Sequence, residues 1–415
     1  MVANPVSSAV ALQLSYKAHS TGVITPGVEP VYATDPGAAS AQILRRVSSS
    51  LNFTRANYKS NEIRADRNIV DFRLGMNSVA GSINGELSPK TYQDFMAAVV
   101  RGSWTSGISK TQADFTSIAA SASGSSLTLG SSTWAALGFR VGDIVRLTGA
   151  STTGDNSVNY TLLSGLSTTV AVVSPAPTDM LADTTITCAV VGRKVVAPQS
   201  NLVIPKFAFE HYYADNDLAD LFTECRIGSM KINMPSNGIA TVELGVIGRN
   251  MTQYSAASAP FFTSPTAALT TTGLTTFGGA LLLNGVQVGI ITSSDLTVNL
   301  NASAQDAAFT LLTPEIYTGR LDASGTLNVM FNDNTLRAGF QAETEFQLVM
   351  TLTTGTSTGA DFISFFMPRI KFTAATVQNS GEQGVPITLP FQALLPTSST
   401  TNDLSPIIIQ DSLSA

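Results

Sequence analysis

The side chains that most often catalyse reactions or bind metals are sparse in this chain of 415 residues. It contains two histidines, His19 and His211, and two cysteines, Cys188 and Cys225, which lie far apart in the sequence. A structural metal site needs several cysteine or histidine ligands at short spacing, so the sequence predicts no metal site. Two isolated cysteines are more often buried and reduced than paired, and we favour free thiols over a disulfide.

One motif matches the consensus pattern around a catalytic serine. Residues 355–359, Gly-Thr-Ser-Thr-Gly, match the G-x-S-x-G pattern of a nucleophile elbow. That elbow needs a strand-to-helix turn and a later histidine, and no histidine follows Ser357. A hairpin tip is the better interpretation, although Ser357 stays the one candidate nucleophile. We therefore expect neither catalysis nor a cofactor.

A cluster of three acidic residues has an ordinary explanation. Asp215, Asp217 and Asp220 imitate part of a calcium loop, but the glycine and the closing glutamate of such a loop are missing. Acidic residues stabilise the N-terminus of a helix. Leu218, Leu221 and Phe222 would lie on one face of a helix. We therefore predict a helix over residues 215–225, with the three aspartates at its beginning.

The composition indicates a β-rich protein that hides its surface in an assembly. Hydrophobic residues make up 44% of the chain and charged residues 13%, against roughly 25% charged in an average protein. The mean hydropathy is +0.19, yet no apolar run of about 18 residues predicts a membrane span. The first residues do not have the pattern of a secretory signal. The net charge of −6 disfavours tight binding of nucleic acid.

Alternating residues predict strands along most of the chain, with one clear helix over residues 88–101. Residues 104–200 contain several short strands at regular spacing, which is typical of a small independent β-barrel. Residues 255–279 are rich in Ser, Thr, Gly and Pro and predict a linker or an extended arm.

An internal repeat organises the chain into two modules. Residues 81–91 align without gaps on 325–335, residues 48–51 align on 293–296, and residues 226–232 align on 369–375. The first two matches are displaced by about 244 residues (325 − 81 = 244) and the third by 143 (369 − 226 = 143). Insertion of a separate domain into the first copy explains the difference, whereas chance similarity between Ser- and Thr-rich strands is the alternative. The predicted organisation is listed here: module A, residues 1–103 and 201–260; an inserted β-domain, residues 104–200; and module B, residues 261–415.

A charged loop is the best candidate for a contact between subunits. It runs from residue 55 to residue 77, and loops of this length in compact domains are usually functional or disordered. In a chain so poor in charge, a cluster of both signs favours a specific polar contact, with a solvated loop as the alternative. The charged residues concerned are Lys59, Glu62, Arg64, Asp66 and Arg67.

Several stretches together resemble the major tail tube proteins of long-tailed bacteriophages. They are residues 60–67, residues 81–88, the helix through Tyr92 and Phe95, and residues 367–372 with 384–394. Residues 137–143, Leu-Gly-Phe-Arg-Val-Gly-Asp, resemble a small β-barrel that some members carry as an insertion.

The resemblance implies a mainly β fold with two tandem sandwich or barrel modules, each with a short flanking helix, and a small inserted β-barrel. The inner sheets close with their neighbours into a ring, and rings stack into a tube through which double-stranded DNA leaves the capsid. Family rings usually contain six modules, so we expect a trimeric ring with pseudo-sixfold symmetry and keep a hexamer as the alternative. The implied location is the virion tail, after assembly in the host bacterial cytoplasm.

The implied partners are further copies of the chain, other tail proteins at the tube ends, and the tape-measure protein and DNA in the lumen without specific binding. No membrane partner is expected. A conduit for DNA should not attract phosphates, so acidic side chains are candidates for the lumen: Glu86, Asp71 and Asp322. Ordinary exposed acids are the alternative for each. The competing function is a β-rich surface adhesin or carbohydrate-binding protein.

Overall fold

A computed structural model describes residues 10–20, 36–63, 65–66, 68, 71–288, 290–331, 334–378 and 384–414. The fold is mainly β, as predicted, and its strand ladders are antiparallel. The helices are α1 (Gln93–Val100), α2 (Gln112–Phe115) and α3 (Thr335–Gln341), with short 3-10 turns at Thr153–Asp155 and Ala256–Ser258. In chain order, the strands are β1 (Leu12–Ser20), β2 (Gln42–Ile43), β3 (Ser48–Ser49), β4 (Asn52–Lys59), β5 (Phe72–Glu86), β6 (Thr105–Ser106), β7 (Ser109–Thr111), β8 (Ile118–Ser121), β9 (Ser126–Leu129), β10 (Ile144–Thr148), β11 (Tyr160–Ser164), β12 (Val170–Ser174), β13 (Met180–Asp183), β14 (Thr187–Val190), β15 (Arg193–Val196), β16 (Lys206–Tyr213), β17 (Leu218–Pro235), β18 (Thr241–Gly248), β19 (Asn250–Ser255), β20 (Thr275–Leu283), β21 (Val286–Gln287), β22 (Ile291–Asn299), β23 (Ser303–Ala304), β24 (Ile316–Tyr317), β25 (Asp322–Met330), β26 (Phe346–Thr353), β27 (Phe362–Phe372), β28 (Thr376–Val377), β29 (Pro386–Ala393) and β30 (Ile408–Asp411).

Eight strands form a continuous run that we call the central sheet. Its order is β4–β5–β18–β17–β22–β25–β29–β28. The end of β27 also pairs with β29, in line with β28. Successive side chains in a strand point to opposite faces. On one face lie buried apolar residues such as Ile83, Leu244 and Leu327, so that face packs on the core.

A second layer covers the apolar face of the central sheet, and β17 and β27 pass through both layers. The first half of β17 pairs with β16 and β19, and its second half pairs with β18 and β22. The first half of β27 pairs with β26 and β30 in the same way, and its end pairs with β29. Helix α1 adds Phe95, Met96 and Val99 to the core between the layers, where they are fully buried.

The same pairing pattern occurs twice along the central sheet. We call β4, β5, β18 and β17 the first set, and β22, β25, β29 and the β27–β28 segment the second set. Within the first set Phe53 opposes Val79, and within the second set Val298 opposes Ala323. Each set has its own short helix after its second strand, α1 after β5 and α3 after β25. The two sets are joined side by side, because β17 pairs with β22.

The loop of residues 300–321, which connects β22 to β25, binds the second set to the first. The backbone N–H of Asn77 donates to the carbonyl of Leu311 at 2.8 Å. The Arg226 guanidinium forms a buried ion pair with Glu315 at 2.6 Å and also donates to the carbonyl of Ile316. Burial lowers the pKa of Arg226 to about 10, although the neighbouring Glu224 carboxylate opposes this. An arginine buried in this way is costly unless it is paired, so this contact fixes the relative position of the two sets.

Between α1 and β16 the chain forms a separate eight-stranded antiparallel sheet, which we call the inserted sheet. Its order is β13–β8–β9–β12–β11–β10–β14–β7, and it has its own hydrophobic core around Trp134, Phe139 and Leu162. The flanking strands β6 and β15 pair with one another and β15 pairs with β30, so they belong to the large sheet. In the second set the corresponding connection, between α3 and β26, contains only residues 342–345.

The inserted sheet is docked on the second layer of the second set. Its core includes Val349, Phe366 and Ile408 from β26, β27 and β30. The Gln410 amide accepts a hydrogen bond from the Ile144 N–H at 2.8 Å and donates to the Ile144 carbonyl at 2.9 Å. A Cβ on Gly142, which has φ +89°, would lie 2.2 Å from the Phe366 ring, so the backbone approaches as closely as glycine permits. The inserted sheet therefore lies on the side of the second set away from the open face of the central sheet.

One predicted helix is confirmed and the other is wrong. Helix α1 lies inside the predicted segment 88–101 and ends at Arg101, which takes the left-handed conformation with φ 59°. Residues 215–225 form no helix, because a turn with φ 50° at Asp217 leads directly into strand β17. The predicted arm after residue 255 runs without long strands to β20, and Phe262 is buried along it. In the described part of the chain no helix is long and apolar enough to cross a membrane.

A buried histidine gives the fold a testable dependence on pH. His211 lies against the Phe222 ring, and its Nε2 is 2.9 Å from the Ser49 hydroxyl. Burial and, to a smaller extent, the charge of the nearby Arg46 lower the pKa of His211 to about 4. A group whose pKa is lower in the folded state resists protonation there, so stability is lost as the pH falls from about 6.5 towards 4.

We expect the free energy of unfolding of the wild type, relative to a His211→Gln variant, to fall by up to about 3 kcal/mol between pH 7 and pH 4. Chemical denaturation at several pH values measures this difference, and other titrating groups cancel in it. His19→Gln serves as the control, because it replaces the only other histidine. A difference for His211→Gln that stays constant with pH would refute the explanation.

Candidate functional site: the open face of the central sheet

The face of the central sheet opposite the core is polar, and we call it the polar face. It follows from strict alternation, for example in β18, where Val242, Leu244 and Val246 are buried while Thr241 and Glu243 are exposed. Most of its uncharged members are Ser, Thr, Asn and Gln, with apolar residues such as Ile247 and Pro390 between them; the polar ones include Asn84, Asn233, Thr297, Ser324, Thr326 and Thr388. The polar face is thus a hydrated surface without a large apolar patch.

The cations Arg226, Arg369 and Lys371 on this face are each paired with a glutamate. Apart from these pairs, four carboxylates and one ammonium group charge the polar face. Glu86 lies at the end of β5 and opposes Thr241, and Asp322 begins β25 and opposes Asn299. Glu243 lies between Asn84 on β5 and Lys231 on β17. Asp295 is on β22 and opposes Asn233. The balance of these five groups, −4 + 1 = −3, makes the face acidic from β5 to β25.

The uncharged groups of the polar face bind one another. The Asn328 amide donates to the Ser293 hydroxyl at 2.9 Å and accepts from the Thr388 hydroxyl at 2.9 Å. The Gln392 amide donates to the Asp322 carboxylate at 2.7 Å. Donors that are satisfied within the sheet are not directed towards a ligand, and the acidic groups repel phosphates. A surface of this kind lets a polyanion pass without holding it.

The three acids predicted from the sequence to line the lumen lie in two different places in the structure. Glu86 and Asp322 both lie on the polar face, in strands of equivalent position. Asp71 lies just before the first residue of β5, whereas Glu86 is its last residue. At the usual rise per residue the two acids are about 50 Å apart. Glu243 and Asp295 were not predicted. The alternation of Thr-Val-Glu-Leu and Ser-Asp-Leu-Thr-Val was the signal for them, since it places each acid on the face opposite the apolar residues.

The predicted contact loop is the end of the hairpin formed by β4 and β5, which we call the β4–β5 hairpin (residues 55–77). Lys59 is the last residue of β4 and opposes Phe72, while Glu62 and Asp66 are exposed beyond it. Arg64 and Arg67 lie outside the described residues. Four large apolar side chains are also more than half exposed on this hairpin: Tyr58, Ile63, Phe72 and Leu74.

The central sheet has an open edge at each end. Strand β4 pairs only with β5, and β28 pairs only with β29, within the described part of the chain. Open edges present unpaired backbone groups that pair readily with another strand. The polar face, the two open edges and the exposed hairpin therefore belong to a sheet that is suited to continue into another molecule.

The residues considered for chemistry do not form a site in the described part of the chain. Residues 355–359 make the turn between β26 and β27, which pair at Thr353 and Phe362, so Ser357 is at a hairpin tip. The described residues contain no cluster of metal-ligating side chains. Cys188 and Cys225 are both free and buried, and burial raises the pKa of each thiol, which keeps them protonated and unreactive.

Comparison with known proteins identifies the family of this chain. A search of curated proteins finds no match. The model of the family described as phage tail tube protein matches residues 11–393. This match covers both strand sets, the inserted sheet that interrupts the first set, and the stretches of the sequence resemblance up to residue 393. The chain therefore belongs to the phage tail tube protein family.

Proposed function

We propose that three copies of this chain close into a ring whose lumen is lined by the polar faces, and that stacked rings form the conduit for double-stranded DNA during ejection. Family membership makes the chain a structural protein of the virion tail that assembles with copies of itself and with other tail proteins. The observation that carries the proposal is the central sheet, which is apolar on one face, acidic on the other and open at both edges.

The number of chains per ring follows from the proposed duplication. The two sets repeat one order of pairing, each with a helix after its second strand, and the inserted sheet interrupts the first set only. This supports module A as residues 1–103 and 201–260, the insertion as residues 104–200, and module B as residues 261–415. If a ring holds six such modules, three chains supply them with pseudo-sixfold symmetry; a hexamer of chains would need twelve.

The inserted sheet belongs on the outside of the proposed tube. It packs on β26, β27 and β30 in the second layer, and the polar face lies on the opposite side of the central sheet. Its position leaves the lumen to the polar face, so the tape-measure protein and DNA would meet mainly Ser, Thr, Asn and carboxylate groups and would not be bound specifically. Assembly in the host bacterial cytoplasm completes the proposal.

Negative-stain electron microscopy of the purified protein tests the proposal directly. We expect rings or hollow tubes at high protein concentration, because association of two open edges is favoured by mass action. Particles that stay monomeric at high concentration and in several salt conditions would contradict it. Binding of a glycan by a monomeric protein would favour an adhesin instead.

A further inference from the structure

The joint between the two sets inside the chain has a defined register. Ile232 on β17 opposes Leu296 on β22, and Met230 opposes Val298. All four side chains are buried in the core. On the polar side of the same joint, Lys231 opposes Thr297. The joint is therefore both a backbone ladder and an apolar contact.

The open edges of the chain repeat the two halves of this joint. Leu51 and Phe53 occupy in the first set the places that Leu296 and Val298 occupy in the second, because Phe53 pairs with Val79 as Val298 pairs with Ala323. At the other edge, Val377 pairs with Ile387 on β29.

That pairing matches the pairing of Ile232 with Val242 on β18, which makes Val377 the counterpart of Ile232. Ala375, two residues earlier, is then the counterpart of Met230, and it packs on the same core. Both open edges thus already carry the apolar side chains that a joint of this type requires.

The backbone groups at both edges point outwards. The N–H of Ser50 donates to the Ser82 carbonyl on β5, so the N–H of the next residue, Leu51, points away from β5 towards the open edge. The N–H of Gln378 donates to the Pro386 carbonyl on β29, so the N–H of Val377 points to the other open edge. These are the groups that would pair if Leu51 of one copy faced Val377 of another.

The β4–β5 hairpin is the counterpart of the 300–321 loop. Lys59 opposes Phe72 in the hairpin, and Ala304 opposes Ile316 in the loop. An acidic residue precedes Phe72 in the hairpin and Ile316 in the loop: these are Asp71 and Glu315. Ile316 is buried, with 2% of its surface exposed, whereas Phe72 is 60% exposed. The hairpin thus has the features of the docked loop but lacks a surface to dock on.

The second set carries basic residues where the first set receives the loop. Arg226 opposes Ile247 on β18, and at the matching place of the second set Lys371 opposes Gln392 on β29. The register thus matches Arg226 with Lys371, two residues after the Arg369 on which the sequence repeat aligned it. Arg369 precedes Lys371 by two residues and so lies on the same face. Arg369 forms an ion pair with Glu345 at 2.5 Å, and Lys371 forms one with Glu343 at 3.5 Å. The Glu343 side chain is 83% exposed. The buried Arg369 Nε has no hydrogen-bond partner among the described residues.

We infer that the contact between neighbouring chains copies the internal joint, with Leu51 and Phe53 of one chain facing Val377 and Ala375 of the next. The β4–β5 hairpin of the first chain then lies on the second set of its neighbour, where Asp71 meets Arg369 and Lys371 as Glu315 meets Arg226. This inference rests on the proposed ring. It assigns Asp71 to the contact between chains, in place of the lumen position expected from the sequence.

A designed disulfide tests the register. The internal pair Lys231 and Thr297 corresponds to Thr376 of one chain and Asn52 of the next, both exposed in the single chain. Cysteines at directly opposed positions of antiparallel strands are within bonding distance. The variant with Asn52→Cys and Thr376→Cys is assembled, oxidised mildly and analysed on a denaturing gel without reductant. The two natural cysteines are buried and should not interfere.

We expect a ladder of covalent oligomers that ends at the size of one ring and disappears with reductant. The matched control is Asn52→Cys with Thr388→Cys, because Thr388 opposes Thr376 on β29, one strand farther from the neighbour. Rings that form without the expected cross-link, or with equal cross-linking in the control, would overturn the register while leaving the proposed function intact. Failure of both variants and the wild type to form rings would overturn the proposed function, and the register with it.

Discussion

Val377→Pro should abolish ring formation and leave the fold of the single chain intact. Proline lacks a backbone N–H and is tolerated in a sheet only where that N–H is not needed. The Val377 N–H points away from β29, since the neighbouring Gln378 N–H makes the bond to β29. In the single chain no backbone hydrogen bond is lost. In the ring, each joint between chains loses a central hydrogen bond, and the proline ring keeps the next strand at a distance.

The matched control for this variant is Val377→Thr, which keeps the β-branched shape and the N–H. Sedimentation velocity separates rings from single chains, and circular dichroism with thermal melting reports the fold. We expect monomers with a wild-type melting curve for proline, and rings for threonine. Normal rings from Val377→Pro would show that this edge is not in the joint.

Reversing charge on the polar face should slow DNA release from assembled phage. The double variant Glu243→Lys with Asp295→Lys changes the balance of the five groups from β5 to β25 from −3 to +1, counted from four acids and one base to two acids and three bases. Each cation that pairs with a phosphate adds affinity that depends on salt. Because every ring repeats the change, we expect release to slow by roughly tenfold or more at low salt and to recover as salt is raised.

Two controls separate attraction of DNA from other effects of this change. Glu243→Gln with Asp295→Asn removes the acids without adding cations, and release should stay near the wild-type rate. Asp179→Lys adds positive charge on an exposed turn of the inserted sheet, and it should have no effect. Fluorescence of a dye that binds released DNA measures the rate. Equal slowing by Asp179→Lys, or slowing that does not depend on salt, would contradict a lumen position for Glu243 and Asp295.

The class of fold and the existence of α1 could be predicted because local signals agree there. Strands such as β18 and β29 alternate cleanly, and α1 follows a Ser-Pro start with apolar residues on one face. Helix α3 was missed because Gly339 interrupts it; that glycine is needed where a Cβ would lie 2.5 Å from the Phe346 ring. The glycine is therefore required by a tertiary contact, which the sequence around it does not reveal.

The error at residues 215–225 has a related cause. The first half of β17 is covered on both faces, so Leu221, Phe222 and Cys225 are all buried, and the spacing of apolar residues imitates a helix. Strands buried on both faces lose the alternation that identifies them. The turn at Asp217, with its positive φ, was the local signal against a helix.

The proposed lumen surface was only partly accessible from the sequence. Glu86 and Asp322 were chosen as exposed acids, and the strand register brings both to one face with Glu243 and Asp295. The proposed role of Asp71 depends on its equivalence with Glu315, which only the pairing in the two hairpins reveals. Register between strands that lie far apart in sequence is set by the packed core and the turns together, so it could not be read from either strand alone.

A cryo-electron-microscopy reconstruction of the assembled tube tests the central claim most directly. We predict three chains per ring, each contributing the eight strands of its central sheet to the lumen wall, with Glu243 and Asp295 facing the pore and the inserted sheet outside. Six chains per ring, or a pore lined by a surface other than the polar face, would contradict it.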